Sequence, residues 1–450
     1  MSLNRIENIT STAQLIGVDR NVVECRIPPL EQGSVWRQFE KRGGSLPNGK
    51  FGYAARDGLE AIGNPTARDV IVPDPVDKEF LAYVKDMFGN IPNLHSVDLT
   101  KFTERTIRDI MERYNKAGKA VFYGWWETDA LPDEHQLVSP DAQRWGNAKA
   151  SLGQIYSKNV LAGQIILEDP QHNSGGRTIH NISQDEVTQL KNGSDQIWIK
   201  ASKWGLAGHG VRRSQGASDD IVNEVLNFYT ELKRTGVGDA SIILEEDLPG
   251  EGGSFTLIRR VDGKVLFSHV TKQLNVNGAR VGNIIHSIDA TSPKMRELID
   301  LTAERMTNSS AFEEKPGIYA YDTIDDSART PKPNDIANRS TGTWTSAYQR
   351  IHLINQFQLP EKDTVTMTDR LYLGENTSFS QLMRALDAKK LGDFVGGRIV
   401  TVRQYFNGYN MPSIWLALTT TDQDKLPAIQ QEVQTALSTA NIDNSPKPLR

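Results

Sequence analysis

Across its 450 residues the chain carries a single cysteine, Cys25. One thiol excludes an internal disulfide framework and any cysteine-based metal cluster. Its neighbours, Val22-Val-Glu before it and Arg26-Ile-Pro after it, read as a buried strand and not as the setting of a nucleophile. A lone thiol in a chain of this length fits a reducing compartment. Long apolar runs are missing as well: none approaches the ~20 residues that a membrane helix requires. The start, Met1-Ser-Leu-Asn-Arg-Ile, has no apolar stretch behind its basic residue, so no signal peptide is expected. The cytoplasm is the expected compartment and no membrane partner is expected. Charge of one sign is also lacking. Lysine plus arginine number 51 against 56 acidic residues, a formal net charge of −5, so the footprint of a nucleic-acid binder is missing. No G-x-x-x-x-G-K-[ST] loop occurs, and no G-x-G-x-x-G opens a helix, which removes the two commonest phosphate-binding signatures. The 8 histidines show no metal-ligand spacing.

What is present is ordinary for a globular chain: 38% hydrophobic and 24% charged residues. The length predicts two or three domains. Residues 1–146 alternate apolar runs with helical patterns. Strands are expected at Asp69–Asp74 and Ala120–Trp126, with helices over Val76–Phe88 and Phe102–Lys116, the latter capped by Thr100. That alternation predicts an α/β domain with a parallel sheet. Residues 147–358 mix helices with antiparallel hairpins. Asp262-Gly263 and Asn277-Gly278 supply the positive φ angles of two-residue turns. Helices are expected over Ser218–Leu232 and Pro293–Met306. Residues 359–450 form a smaller α+β module, with a helix over Ser378–Leu391, a hairpin of Arg398–Phe406 with Ile414–Thr419, and a helix over Asp422–Ala440.

Several stretches carry chemistry. Trp198-Ile-Lys200 ends a strand, and alternation puts Lys200 on one face with Trp198 and Gln196. Gly205, Gly208 and Gly210 follow in a segment whose backbone N–H groups can approach an anion without Cβ clash; taken alone this also reads as a hairpin tip, with His209 an exposed loop histidine. An acidic connection, Glu245-Glu-Asp-Leu-Pro-Gly250, leaves a buried strand. Asp322 and Asp335 are 335 − 322 = 13 residues apart, a spacing at which two antiparallel strands bring both carboxylates to one Mg²⁺, which takes one or two carboxylates plus phosphate oxygens. Arg259, Arg260, Lys272 and Arg280 lie on hairpin strands, where alternate positions face a cleft.

The order of these parts resembles the ATP-grasp ligase superfamily, over roughly residues 147–358 with an α/β domain ahead. The resemblance implies an N-terminal α/β pre-ATP-grasp domain, a central two-lobed ATP-grasp domain and a C-terminal α+β module. It also implies ATP and Mg²⁺. Lys149 and Lys200 then stand at the two phosphate-contacting lysines, and Gly205, Gly208 and Gly210 in the lid. Glu245 starts the adenine linker, with the Glu246 and Leu248 backbones facing the base. Starting at Glu246 would instead put Pro249, which has no N–H, at the donating position. Glu251 corresponds to the ribose acid and Lys272 to a phosphate lysine. Asp322 lies in Gly317-x-x-x-x-Asp322, and Asp335 and Arg339 match an acidic-x-Asn-x-Arg motif. Ala337 holds the position of that asparagine, and Asn338 comes one residue late. A β-bulge that restores Asn338 to the metal is expected, or else a weakened metal shell. Arg339 with the Ser340-Thr-Gly342 backbone would cradle an acyl phosphate. The C-terminal extension and the Gln273…Asn283 segment look most like peptide-forming ligases of the pheganomycin-ligase kind. These join a small-molecule carboxylate to an amine (amino acids or a short peptide) through an acyl phosphate. Two other readings stay open: a catalytically degenerate nucleotide-binding relative, and a small-molecule kinase on the same fold. The C-terminal module is a candidate homodimer contact.

Overall fold

The computed structural model describes residues 4–5, 12–17, 69–73, 76–88, 93–97, 136–172, 177–191, 194, 196–202, 210–234, 239–276, 279–338, 343–373, 377–406 and 413–442, with residues 105, 109 and 112. Cys25, the strand expected at 120–126, most of the helix expected at 102–116, the Asn277-Gly278 turn and residues 203–209 and 339–342 lie outside them.

Strand β1 (Asn4–Arg5) is followed by β2 (Asp69–Pro73) and β3 (Asn93–Val97), which pair in parallel. Helix Lys78–Phe88 connects these two strands; the Asp77 carboxylate accepts the Glu79 and Phe80 amides, which caps the helix start. The next unit is a four-stranded sheet built from β4 (Gln164–Leu167), β5 (Gln196–Ala201), β6 (Val211–Gln215) and β7 (Ile242–Glu246), in the order β4-β7-β5-β6. Alternation sorts its side chains cleanly. Leu167, Ile197, Ile199, Ala201, Ile242 and Leu244 leave one face and form a core with Val187 and Leu190 of helix Gln184–Lys191 and with Ile221, Val225 and Phe228 of helix Ser218–Arg234. The second helix buries positions i, i+4, i+7 and i+11, with Asp219 and Asp220 in its first turn and Lys233 and Arg234 in its last, where each sign suits the helix dipole. The other face of this sheet carries Ile166, Ile243, Glu245, Trp198, Lys200, Val211 and Arg213.

A nine-stranded sheet forms the rest. Its strands are β8 (Gly252–Arg259), β9 (Val265–Val276), β10 (Ala279–His286), β11 (Gly317–Asp325), β12 (Pro331–Asn338), β13 (Val365–Tyr372), β14 (Arg398–Phe406) and β15 (Ser413–Thr420). Their order is β12-β11-β8-β9-β10-β13-β15-β14, with β1 added in parallel to β9. The β8–β9 turn falls at Asp262-Gly263 as expected but is longer than two residues: the Arg260 amide donates to the Lys264 carbonyl at 2.9 Å, and of the pair only Gly263 takes a positive φ, +79°. The β10–β13 pairing crosses residue 358, so the central segment and the C-terminal module share one sheet.

This sheet has one apolar and one polar face. On the apolar face Phe255, Leu257, Val270, Tyr319, Tyr321 and Ile336 pack under Leu298, Ile299 and Met306 of helix Pro293–Asn308. Farther along the same face Ile284, Met367, Val400 and Leu418 join helices Phe379–Asp387 and Leu426–Thr439, together with Phe80 and Val84 of helix Lys78–Phe88. The first and last thirds of the chain therefore share a core. The polar face is read across paired positions: Asp335, Asp322, Ser254, Thr271, Ile285, Thr366 and Thr419 stand in one lateral row. Helix Trp344–Phe357 buries Thr345, Ser346, Gln349 and Arg350, and its residues Trp344 and Tyr348 form a core with Ile258 and Ile318, which leave the polar face.

Candidate active site

The two sheets turn charged faces to one another. Lys200 and Glu245, neighbours across β5 and β7, form a buried ion pair, each less than one tenth exposed. Lys149 belongs to neither sheet. It opens a short turn after helix Pro140–Gly146, its amide donates to the Ser202 carbonyl at 3.0 Å just beyond β5, and its ammonium is paired with the Asp335 carboxylate on β12. Lys149 thus holds the small sheet by its backbone and the large sheet by its side chain. The two pairs sense each other. Burial pushes the Glu245 carboxyl above its ordinary range; Lys200 opposes that shift, Asp335 adds to it, and Lys149 opposes it.

Asp322 stands directly across from Asp335 on the same face, as the 13-residue spacing predicted. Beside them Ser254 and Thr271 share a hydroxyl hydrogen bond of 2.5 Å. These two carboxylates offer oxygen donors of the kind a hard divalent cation takes. Among the described residues no group of three or more histidine, cysteine or acidic side chains gathers as a ready metal cage. The arrangement therefore fits a Mg²⁺ that brings most of its ligands with a nucleotide. The small sheet places Ile166, Ile243 and Val211 on its site face, and Ile324, two positions beyond Asp322, leaves the polar face of the large sheet. These apolar residues were not read from the sequence. Alternation around Lys200 and Asp322 would have found them once the strand pairings were known.

Glu246 leaves the opposite face from Glu245. Its carboxylate accepts the Gly163 amide at 2.6 Å and its own amide donates to the Gly163 carbonyl at 2.9 Å, which ties the end of β7 to the start of β4. Leu248 lies half-buried in the β7–β8 connection. Asp247, passed over in the sequence, accepts from Trp198 Nε1 at 2.8 Å and from Arg213 at 2.5 Å, so the connection is clamped to the site face of the small sheet. Gly210 takes φ +74° and accepts the Ala201 amide at 2.7 Å, closing the β5–β6 loop at its base. Gly205, Gly208 and Arg339 lie outside the described residues.

Two expectations are corrected. Asn338 does not turn toward Asp335. The pairing runs without a break from Asp322↔Asp335 to Tyr319↔Asn338, and the irregularity falls between Asp322 and Thr323 instead. Three steps along a regular strand carry Asn338 to the opposite face, where it is fully buried and its Nδ2 donates to the Ala142 carbonyl at 3.2 Å. Lys272 follows Thr271, which is paired with Ser254 on the polar face, and so leaves the other face. There its ammonium meets Glu251 at 2.6 Å, and both side chains are substantially exposed. The lysine expected at phosphate and the acid expected at ribose neutralise each other at the rim.

No protein-family model and no curated protein sequence matches the chain. Solved structures do. The biotin carboxylase domain of the Hydrogenobacter thermophilus 2-oxoglutarate carboxylase, a dimer in complex with MgADP, ADP and bicarbonate, aligns with a TM-score of 0.52 at 12% identity, covering 95% of this chain and 91% of that one. N5-carboxyaminoimidazole synthetase from Staphylococcus aureus, complexed with ADP, aligns at 0.51 and 12% identity, covering 95% and 99%. The Aspergillus clavatus N5-carboxyaminoimidazole synthase, in complex with ADP and 5-aminoimidazole ribonucleotide, aligns at 0.51 and 11% identity, covering 93% and 99%. The fold of the chain is the ATP-grasp fold of these proteins. No described helix is long and apolar enough to cross a membrane.

Proposed function

We propose that the protein is an ATP-dependent carboxylate–amine ligase, which activates a small-molecule acid by phosphoryl transfer and joins it to an amine, with release of ADP. One observation carries this reading: Lys149, Lys200, Glu245 and Asp335 come from different elements and meet between two sheets. Phosphoryl transfer asks a protein mainly for positioning and charge neutralisation, and these side chains supply both. Lys149 and Lys200 would lie along the phosphates, Ile166 and Ile243 against the base, and Asp322 with Asp335 would hold Mg²⁺. Held there, a divalent cation would supply neutralisation of the charge that builds up in transfer. The acid and the amine would be an amino acid or a short peptide, placed beside the Asp322–Asp335 end of the large sheet. In this reading residues 147–358 handle the nucleotide, residues 1–146 precede them as an α/β part, and residues 359–450 extend the large sheet.

A second reading has its own observation. The face that carries Asp335 continues with Ala337, so the position expected to hold an asparagine carries a methyl group. That favours a relative that binds nucleotide without turning it over. One assay separates the two. Purified protein with Mg-ATP is screened over single amino acids and pairs for ADP release, with Asp335→Ala alongside. Release that needs two substrates and disappears in Asp335→Ala supports the ligase. Tight ATP binding with no ADP release under any pair supports the non-catalytic relative, and release that needs one substrate only indicates a kinase.

A further inference from the structure

Asn338 is the residue that the resemblance to ATP-grasp motifs leaves without a task. It lies in a cradle shaped for it. Its amide donates to Asn147 Oδ1 at 3.1 Å, and its side-chain Nδ2 donates to the Ala142 carbonyl at 3.2 Å. Gly146 and Gly317 close the cradle. A Cβ added at Gly146 would collide with the Asn338 Cβ, and one added at Gly317, which takes φ +155°, would collide with Asn338 Oδ1. Gly317 opens the Gly317-x-x-x-x-Asp322 stretch, so its glycine is demanded by the asparagine of the next strand. The two motifs are halves of one joint.

The joint sits where it controls the site. Asn147 caps helix Pro140–Gly146, with its amide donating to the Gln143 carbonyl at 2.8 Å, and only Ala148 separates it from Lys149. Asp335 lies three residues before Asn338 on β12. Both members of the Lys149–Asp335 pair therefore hang from the contact between Asn338 and the 142–147 segment. We infer that Asn338 is a positioning residue: by docking the end of helix Pro140–Gly146 onto β12 it sets the Lys149 ammonium against Asp335, and so fixes where the site meets a nucleotide's phosphates. This rests on the nucleotide reading given above. The requirement for asparagine follows from the contacts. Aspartate would turn a buried carboxylate oxygen toward the Ala142 carbonyl, and alanine would leave both the donor and the volume missing.

The test is MgADP binding by calorimetry, with thermal unfolding alongside, in the full chain carrying Asn338→Ala, Asn338→Asp, Asn147→Ala or Lys149→Met. Asn338→Ala and Asn147→Ala are each expected to weaken MgADP by about 10-fold, in the range seen when a group that orients a ligand-binding side chain is lost. Asn338→Asp should do worse, whereas a metal ligand changed to a carboxylate would hold the divalent cation at least as well. The decisive variants are the doubles. Once Lys149→Met has removed the ammonium its placement no longer matters, so adding Asn147→Ala should weaken binding little further. Should Asn338→Ala not fold, the Asn147→Ala pair carries the test, since it leaves β12 intact. Full additivity of the doubles, wild-type affinity in both single variants, or tighter Mg²⁺ binding in Asn338→Asp would each overturn the inference. Failure of the wild-type protein to bind MgADP at all would instead remove the nucleotide reading beneath it.

Discussion

Lys149 and Asp335 meet from 186 positions apart, and Lys200 and Glu245 from 45 apart, so that two cations and two anions cancel before any ligand arrives. A polyphosphate alone would crowd Asp335 and Glu245 with negative charge. A metal ion alone would have to take Asp335 from Lys149. Arriving together they leave the balance intact, so nucleotide and divalent cation should bind as a coupled pair. Wild-type protein titrated with Mn²⁺ alone, followed by electron paramagnetic resonance, should show weak binding. Lys149→Met should tighten it by about 10-fold, the effect of roughly 1.4 kcal/mol; unchanged binding would remove Lys149 as the competitor. A second consequence concerns His269, fully enclosed on the polar face, where Nε2 meets the Thr343 hydroxyl at 3.0 Å. Burial pushes its pKa down to about 3, with Arg350 adding to the shift. His286, partly exposed, is likewise lowered to about 4, by burial first and then by Arg350 and Lys272. The unfolded chain takes up protons at these histidines below about pH 6.5 while the folded chain does not. Their contribution is therefore present above pH 6.5 and is lost as pH falls toward 4, at about 1.4 kcal/mol per pH unit for each. Urea midpoints measured between pH 6.5 and 5 should fall less steeply in His269→Gln, and an unaltered slope would contradict the assignment.

Among the elements, strands and helices that follow an apolar period were legible. Helix Ser218–Arg234, helix Pro293–Asn308, the β8–β9 hairpin and the antiparallel pairing of Asp322 with Asp335 all follow from spacing and turn chemistry. Helix Trp344–Phe357 and strand β13 were not read. The helix buries Thr345, Ser346, Gln349 and Arg350 beside its apolar residues, which blurs its hydrophobic period. Strand β13 does alternate, with Val365, Met367 and Leu371 on the apolar face, so its period was there to be read. The position of Asn338 was misread for another reason: a motif match gives the residue types, but only the strand register says which face each takes. The site lysines could be named from order along the chain. Their partners could not, because ion pairs between distant segments leave no trace in local spacing. The join between β10 and β13 offers an element-level test. Gly282 pairs with Asp369 there, and a Cβ on it would collide with the Thr368 carbonyl oxygen. Gly282→Ala should destabilise by about 1–3 kcal/mol, the penalty of overpacking, and lower the thermal midpoint by roughly 1–3 °C in a chain of this length. A midpoint equal to wild type would mean that the two strands separate at little cost.

For the molecule as a whole, the nine-stranded sheet makes the C-terminal third part of the same body as the proposed nucleotide-handling segment. A chain ended after Gln358 would lose β13, β14 and β15, leave β10 as an unpaired edge, and strip helix Lys78–Phe88 of its core partners. Such an edge beside exposed apolar surface recruits other chains. The shortened protein should be found in the insoluble fraction or as large species by light scattering; a soluble monomer binding MgADP like the full chain would show that the last third is separable.

The core that unites the two ends of the chain also has a history in time. Phe80 of helix Lys78–Phe88 packs edge-to-face on Phe379 at 5.5 Å and tilts against Tyr405 at 6.4 Å. Those partners are synthesised some 300 residues after it, roughly 15–60 s later at ordinary rates of translation. Through that interval the nascent chain carries a helix with an apolar face and nothing to cover it, and β1 likewise waits for β9, which comes more than half the chain later. Folding from the ribosome is therefore not a march from the first residue to the last. The chain's opening segment is completed by its closing one, and until residues near 437 have emerged it stays exposed to other nascent chains and to the cell's chaperones.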